Sequence, residues 1–163
     1  MLEEKEGYMP VYQDKFKIFR SQWRDYYVLF VTTNRIIATR TFKRVKRGRY
    51  EHARVYLSQD SIESRANFEK IRELSPEELL KTDEDNFAIP KETIDRIVFK
   101  KTRGHDNEMQ IHTTSDKYKF SFNPEFHLPD VSEEYKKEQL DDKFENYIKF
   151  IEAHFPGIVE NEL

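Results

Sequence analysis

The sequence has 163 residues, a formal net charge of −3 and no cysteine, and its charged residues (36%) nearly equal its hydrophobic residues (37%). This length is most simply one domain, residues 1–163, that buries roughly 70% of its unfolded surface. Without cysteine the chain excludes disulfides, thiol catalysis and cysteine-ligated zinc. Thirteen phenylalanines and nine tyrosines concentrate the apolar surface in large rings, so we expect a soluble globular protein with a polar exterior.

Basic and acidic residues are segregated along the chain. The stretch Arg40–Arg54 has seven lysines or arginines and one acid, whereas residues 125–163 have eleven acids and four lysines. No run approaches the ~20 apolar residues of a membrane span, and the first ten residues lack the basic and apolar pattern of a secretory signal. We therefore expect a cytoplasmic protein that meets a membrane, if at all, at its surface.

The clearest β signal is the stretch Tyr26–Arg40. Within it, Tyr27–Val31 is an apolar run too short for a typical helix, and Ile36–Thr39 is rich in β-branched residues. The polar residues Thr32–Asn34 between these runs predict the turn of a hairpin. Upstream, aromatic and aliphatic residues predict a first strand at Phe16–Phe19.

A long insertion with helical character, about residues 43–86, follows the hairpin. Its first part, residues 43–54, is basic and poor in apolar residues, which predicts a solvated segment. Asp60 and Glu63 have the spacing of a capping box, in which the first side chain accepts a free amide and the second reaches back. This spacing predicts a helix over residues 61–73.

A second, shorter helix is predicted near the end of the insertion. Ser75 is a good capping residue, and Pro76 follows it where a missing N–H costs nothing. Glu78 lies at the reciprocal position of a capping box. We expect this helix to end near Lys81.

The second half of the chain has the alternating pattern of strands. Phe87–Pro90 predicts an extended entry, since proline forces the preceding residue out of a helix, and Ile94–Phe99 predicts a strand. Apolar residues alternate with polar ones in Met109–Thr113 and again in Tyr118–Phe122. These two runs predict a hairpin with one buried face.

The chain ends with a predicted amphipathic helix, about residues 132–155. Its apolar residues recur at helical spacing and are Leu140, Phe144, Tyr147, Ile148, Ile151 and Phe155. Pro156 and Gly157 are expected to stop it.

Together these motifs resemble the pleckstrin-homology-like (PH-like) superfamily, nearest to its bacterial, archaeal and GRAM-type branches. The run Lys15–Phe30 is similar to the opening of pleckstrin-homology domains, and the hairpin Thr32–Ile37 and the Ile-Pro turn Ile89–Ile94 are similar to motifs of those branches. The resemblance implies an α+β, mainly β fold. It implies a bent antiparallel β-sandwich or barrel of about seven strands, capped by the C-terminal helix and carrying the helical insertion.

No sequence motif carries catalytic chemistry. Four glycines leave no room for a phosphate loop or a dinucleotide fingerprint. The five histidines lack metal-ligand spacing, and no serine lies in a nucleophile elbow. We therefore expect a protein that is not an enzyme and has no cofactor and no metal.

Two groups of basic residues are candidates for anion binding. Lys15, Lys17 and Arg24 lie where the resemblance implies a headgroup pocket between the first two strands. The second group lies in the stretch Arg40–Arg54, where interleaved aromatics suit phosphates near a membrane or stacked bases. Its members are Arg40, Lys43, Arg44, Lys46, Arg47 and Arg49. Either group can instead be solvated surface, or neutralise the acidic C-terminal third.

The sequence is thus interpreted as a non-enzymatic PH-like binding module whose ligand is not assigned, with anionic lipid headgroups at a membrane surface as the first hypothesis. One alternative is a protein-interaction or homo-oligomerisation domain that uses a sheet edge. The weaker alternative is nucleic-acid binding through Arg40–Arg54.

Overall fold

A computed structural model describes residues 3–17, 21–46, 53–102, 107–122 and 145–163 of the chain. In this part the protein is mainly β with additional helices, which confirms the α+β, mainly β class predicted from the sequence. The chain divides into two compact units, Met1–Thr93 and Ile94–Leu163. A single domain over 1–163 stays a prediction.

The first unit holds four strands and two α-helices. The strands are β1 (Lys5–Lys17), β2 (Ser21–Thr32), β3 (Arg35–Lys46) and β4 (Phe87–Pro90). The helices are α1 (Ala53–Ile71) and α2 (Pro76–Lys81), and a 3-10 turn follows at Lys91–Thr93. The helical insertion predicted between β3 and β4 is therefore present.

The second unit holds four strands and one helix. The strands are β5 (Ile94–Lys101), β6 (Asn107–Thr113), β7 (Lys117–Phe122) and β8 (Val159–Asn161). The described part of helix α3 covers residues 145–154. The start predicted for this helix near residue 132 lies outside the described residues.

The β2–β3 hairpin confirms the turn predicted from Thr32–Asn34. Thr32 ends β2, and its Oγ1 accepts the backbone N–H groups of Asn34 and Arg35 at 3.2 and 3.1 Å. The strands of this unit pair antiparallel in the order β4-β3-β2-β1. Both strands of the hairpin are longer than the apolar runs that predicted them. Beyond those runs the strands continue with many polar residues, which the apolar signal does not detect.

Strand β1 corrects the prediction of a short first strand at Phe16–Phe19. It begins at Lys5 and pairs with β2 as far as Lys17, whereas residues 18–20 lie outside the described residues. The run Met9–Tyr12 is buried on both faces of the sheet. Such a run has no polar-apolar alternation, so the period of a half-buried strand is lost there.

Helix α1 corrects both the start of the predicted helix and the role of Asp60. The helix begins at Ala53 rather than near residue 61, and Asp60 lies inside it instead of capping it. Asp60 is only 1% exposed. Its carboxylate accepts hydrogen bonds from Tyr26 and Arg44 on the sheet. These bonds compensate the free-energy cost of burying the charge.

Helices α1 and α2 cover one face of the four-stranded sheet. The buried cluster on this face consists of Val28, Phe30, Ile37, Phe68 and Leu79. Helix α2 begins as predicted, because Ser75 Oγ accepts the backbone N–H of Glu78 at 3.3 Å. The basic stretch 43–54 is therefore not one solvated loop: residues 43–46 belong to β3, residues 53–54 belong to α1, and 47–52 lie outside the described residues.

The second unit confirms the strands predicted for residues 94–122. The order is β7-β6-β5-β8, with β8 parallel to β5 and the other pairs antiparallel. The sequence did not predict β8, which is three residues long. Gly157, with φ of 84°, follows α3 and reverses the chain toward β8.

The apolar stripe of α3 is confirmed where the structure describes it. Ile148, Ile151 and Phe155 are buried. Leu140 and Phe144 lie outside the described residues. That this helix caps a barrel stays a prediction.

Candidate functional site

The centre of the candidate site is the buried carboxylate of Asp25 on β2. Its side chain is 1% exposed and accepts from Lys15 Nζ at 2.6 Å and from Trp23 Nε1 at 3.2 Å. Arg40 lies 3.4 Å away on the neighbouring strand. A buried carboxylate is stable only when charges and hydrogen bonds compensate it, and here three donors do so.

Lys15 is held in place by this carboxylate and by a tyrosine. Its Nζ also donates to the hydroxyl of Tyr27 at 2.9 Å. Burial opposes the charge of Lys15, but the hydrogen bonds to Asp25 and Tyr27 outweigh it and raise its pKa. Burial raises the pKa of Tyr27. Lys15 is therefore an ammonium at neutral pH, and 32% of its side chain is exposed.

Arg40 and Arg44 are bound by carboxylates of the first unit. Arg40 Nη2 lies 2.9 Å from Asp83, and its Nη1 lies 2.7 Å from Asp85. Arg44 donates twice to Asp60, at 2.9 and 2.6 Å. These arginines thus form ion pairs between strand β3 and the helical insertion.

Beside Asp25 lies an exposed surface that combines cations with apolar side chains. Lys15, Trp23 and Val45 are paired in register across β1, β2 and β3. The exposed Lys43 places its Nζ 5.1 Å from the centre of the Trp23 ring, and Val45 is 56% exposed. We call these four residues, Lys15, Trp23, Lys43 and Val45, the basic-aromatic patch.

Arg24 lies on the other face of the sheet from Lys15. It donates to Asp14 at 2.7 and 2.9 Å and stacks 4.1 Å from the centre of the Tyr12 ring. Only 4% of Arg24 is exposed. The structure therefore does not bring Lys15 and Arg24 together, because adjacent strand positions point to opposite faces.

The remaining candidates are placed only in part. Lys17 ends β1 and Lys46 ends β3, but their side chains lie outside the described residues. Arg47 and Arg49 lie wholly outside them.

A polar cleft of about 570 Å³ lies near the β2–β3 turn. Its central cation, Arg35, donates to both carboxylate oxygens of Glu3 at 2.9 Å and lies 2.8 Å from Glu77. Lys91 and Glu92 complete the charged lining. Three carboxylates and two cations thus line the cleft, and Arg35 is paired with Glu3 and Glu77.

Sequence reasoning missed Asp25 and the role of Trp23. The available signal was the alternation Trp23, Asp25, Tyr27, which places a carboxylate between two rings on one strand face. The partners of Asp25 come from other strands, and only the register of the sheet reveals them. No group of metal-ligating side chains occurs in the part of the chain that the structure describes.

Comparison of the chain with protein-family models, with curated proteins and with solved structures finds no match. None of the described helices is both long and apolar enough to cross a membrane.

Proposed function

We propose that the chain is a non-enzymatic PH-like binding module whose basic-aromatic patch binds anionic lipid headgroups at a membrane surface. The order of its elements supports the fold assignment: an antiparallel meander β1–β4, a second meander β5–β7 and a helix after the last of these strands.

The observation that carries the proposal is the grouping of cations with the half-buried Trp23 and the exposed Val45 at one end of β1–β3. Lysines beside a lipid surface interact with phosphate, while tryptophan and valine suit the boundary between headgroups and acyl chains. The ammonium of Lys43 lies over the Trp23 ring, so a positive charge and an amphipathic ring are neighbours on this surface. A surface that contacts only water does not require cations beside apolar side chains.

Vesicle co-sedimentation with charge-reversal variants tests the proposal. A near-surface lysine is worth about 1 kcal/mol toward an anionic membrane, so Lys43→Glu removes about 2 kcal/mol, or roughly 30-fold in affinity. Lys70→Glu is the matched control, because Lys70 is exposed on α1 away from the patch.

The apolar half of the patch has its own matched pair. Val45 and Ile62 are exposed to similar extents, 56% and 53%, on β3 and α1. Val45→Ser should weaken binding to anionic vesicles, whereas Ile62→Ser should not. Equal effects of the patch and control variants would contradict the proposal.

A sheet edge supports a second candidate function, self-association. Strand β4 pairs with β3 only over Arg35–Ala38, whereas β3 continues to Lys46. The side chains of Asn86 and Asn67 bond the backbone of Arg40 and Thr41, and residues 43–46 extend beyond them. An open edge can pair with a second copy, so this candidate requires a concentration-dependent dimer in sedimentation. A monomer at all concentrations would contradict it.

A further inference from the structure

A row of basic side chains crosses the sheet of the second unit. Arg96 on β5 is in register with His112 on β6, and His112 is in register with Lys117 on β7. Neighbouring strands lie about 4.8 Å apart, so the row spans on the order of 10 Å. The guanidinium of Arg96 and the ammonium of Lys117 therefore lie on the two strands that flank His112.

Among the described residues of this face, the carboxylates are fewer than the cations. The charged groups that face His112 from the packed strands are Arg96 and Lys100 on β5, Lys117 and Lys119 on β7, Glu108 on β6 and Glu160 on β8. Arg96 lies 3.6 Å from Glu160, with both side chains about half exposed. Among the described residues, neither Lys100 nor Lys117 forms an ion pair. Four cations thus face two carboxylates.

The charges around His112 affect the pKa of its imidazole. Burial and the charges of Arg96 and Lys117 lower the pKa of His112, and Glu160 only partly opposes them. The imidazole Nε2 lies 3.2 Å from Gln110 Oε1. At neutral pH the ring is therefore largely uncharged, and an anion in the row would favour its protonation.

The shape and composition of the face select the kind of anion. Between the basic residues lie Val98 and Gln110, both buried, and the described part of the face has no phenylalanine, tyrosine or tryptophan ring on which a base could stack. A guanidinium and an ammonium on either side of an imidazole match the oxygens of a phosphate group.

We propose that the row Arg96–His112–Lys117 binds a phosphate monoester, either free or carried by a lipid headgroup. This site lies in the second unit and shares no residue with the basic-aromatic patch. Its failure would leave the function proposed for that patch untouched, and the reverse also holds.

The test is a proton NMR titration of the His112 imidazole, assigned by the loss of its resonance in His112→Gln. Inorganic phosphate and phosphatidylcholine vesicles that carry phosphatidylinositol monophosphate are the two probes. Bound phosphate should raise the imidazole pKa saturably. Lys117→Glu should weaken binding roughly tenfold to a hundredfold, because charged hydrogen bonds are lost.

Lys101→Glu is the matched control, since Lys101 follows Lys100 on β5 and lies on the other face of the strand. A response to inorganic phosphate supports a free ligand, and a response to the vesicles alone supports a headgroup. No response to either probe would overturn the proposal. An equal loss in Lys117→Glu and Lys101→Glu would also overturn it.

Discussion

The carboxylate of Asp60 is expected to hold helix α1 on the sheet. It accepts from the hydroxyl of Tyr26 at 2.6 Å and from two nitrogens of Arg44 at 2.9 and 2.6 Å. Tyr26 is fully buried, and burial with the bond to Asp60 raises its pKa. Removal of Asp60 takes the carboxylate acceptor from the buried Tyr26 hydroxyl and two charged hydrogen bonds from Arg44.

The cost of Asp60→Ala follows from these two losses. An unsatisfied buried hydroxyl costs about 1–3 kcal/mol, and a broken buried ion pair costs about 3–5 kcal/mol. The second value is an upper bound, because 29% of the Arg44 side chain is exposed and it can turn to water. We expect about 3 kcal/mol in total, which lowers the melting temperature by roughly 6–12 °C.

Chemical denaturation of Asp60→Ala and of the control Glu63→Ala measures this cost. Glu63 is an exposed acid on the same helix and should change stability by less than about 0.5 kcal/mol. A double-mutant cycle with Tyr26→Phe should give a coupling of about 1 kcal/mol, since that variant removes the orphaned hydroxyl. If Asp60→Ala unfolds like Glu63→Ala, the attachment of α1 is wrong.

Three further expectations concern stability. Ile151 on α3 is 1% exposed, so Ile151→Ala should cost about 3 kcal/mol in a denaturant titration; an unchanged midpoint would remove α3 from the core. Burial opposes the charge of Glu3, but hydrogen bonds from Thr32 and Arg35 outweigh it and lower its pKa. The stabilisation by Glu3 is therefore present above about pH 4.5 and is lost as pH falls through the folded pKa. In Glu3→Gln the free energy of unfolding should depend less on pH in the acidic range. An unchanged pH dependence would refute this. The pKa of His112 is lowered by burial and by neighbouring cations, so stability should fall as pH drops below about 6.5; His112→Gln should abolish that fall, and its persistence would assign it to another group.

The strands of the second half could be predicted from their sequences, although β5 and β6 are buried on both faces at Ile97–Phe99 and Met109–Ile111. In β6 and β7 the apolar residues alternate with polar ones, and the turn between them is polar. Strand β1 could not be predicted in full, since Met9–Tyr12 is buried on both faces and gives no alternation. Strand β8 is too short for any periodicity and depends on its pairing with β5.

Helix α1 was only partly predictable for a different reason. Asp60, Ser64 and Asn67 lie toward the sheet and form hydrogen bonds with Tyr26 and Thr41. Polar residues on the buried side of a helix interrupt the apolar stripe by which its start would be recognised. The capping spacing at Asp60 therefore indicated a helix correctly but placed its start too late.

The candidate site depended on register more than on composition. The resemblance to pleckstrin-homology domains selects both Lys15 and Arg24, but Arg24 is enclosed by Asp14 and Tyr12. A basic run in the sequence does not show which members are paired. Arg40 is bound by acids more than forty positions away along the chain, and no local pattern encodes that contact.

Binding to anionic lipid is tested most directly by the fluorescence of Trp23, the single tryptophan of the chain. This ring is part of the basic-aromatic patch, so insertion at a headgroup boundary should shift its emission to shorter wavelength. We expect the shift with phosphatidylserine-containing vesicles at low salt, its reversal at high salt, and none with phosphatidylcholine alone. An emission spectrum that stays unchanged with the anionic vesicles at low salt would contradict the proposed function.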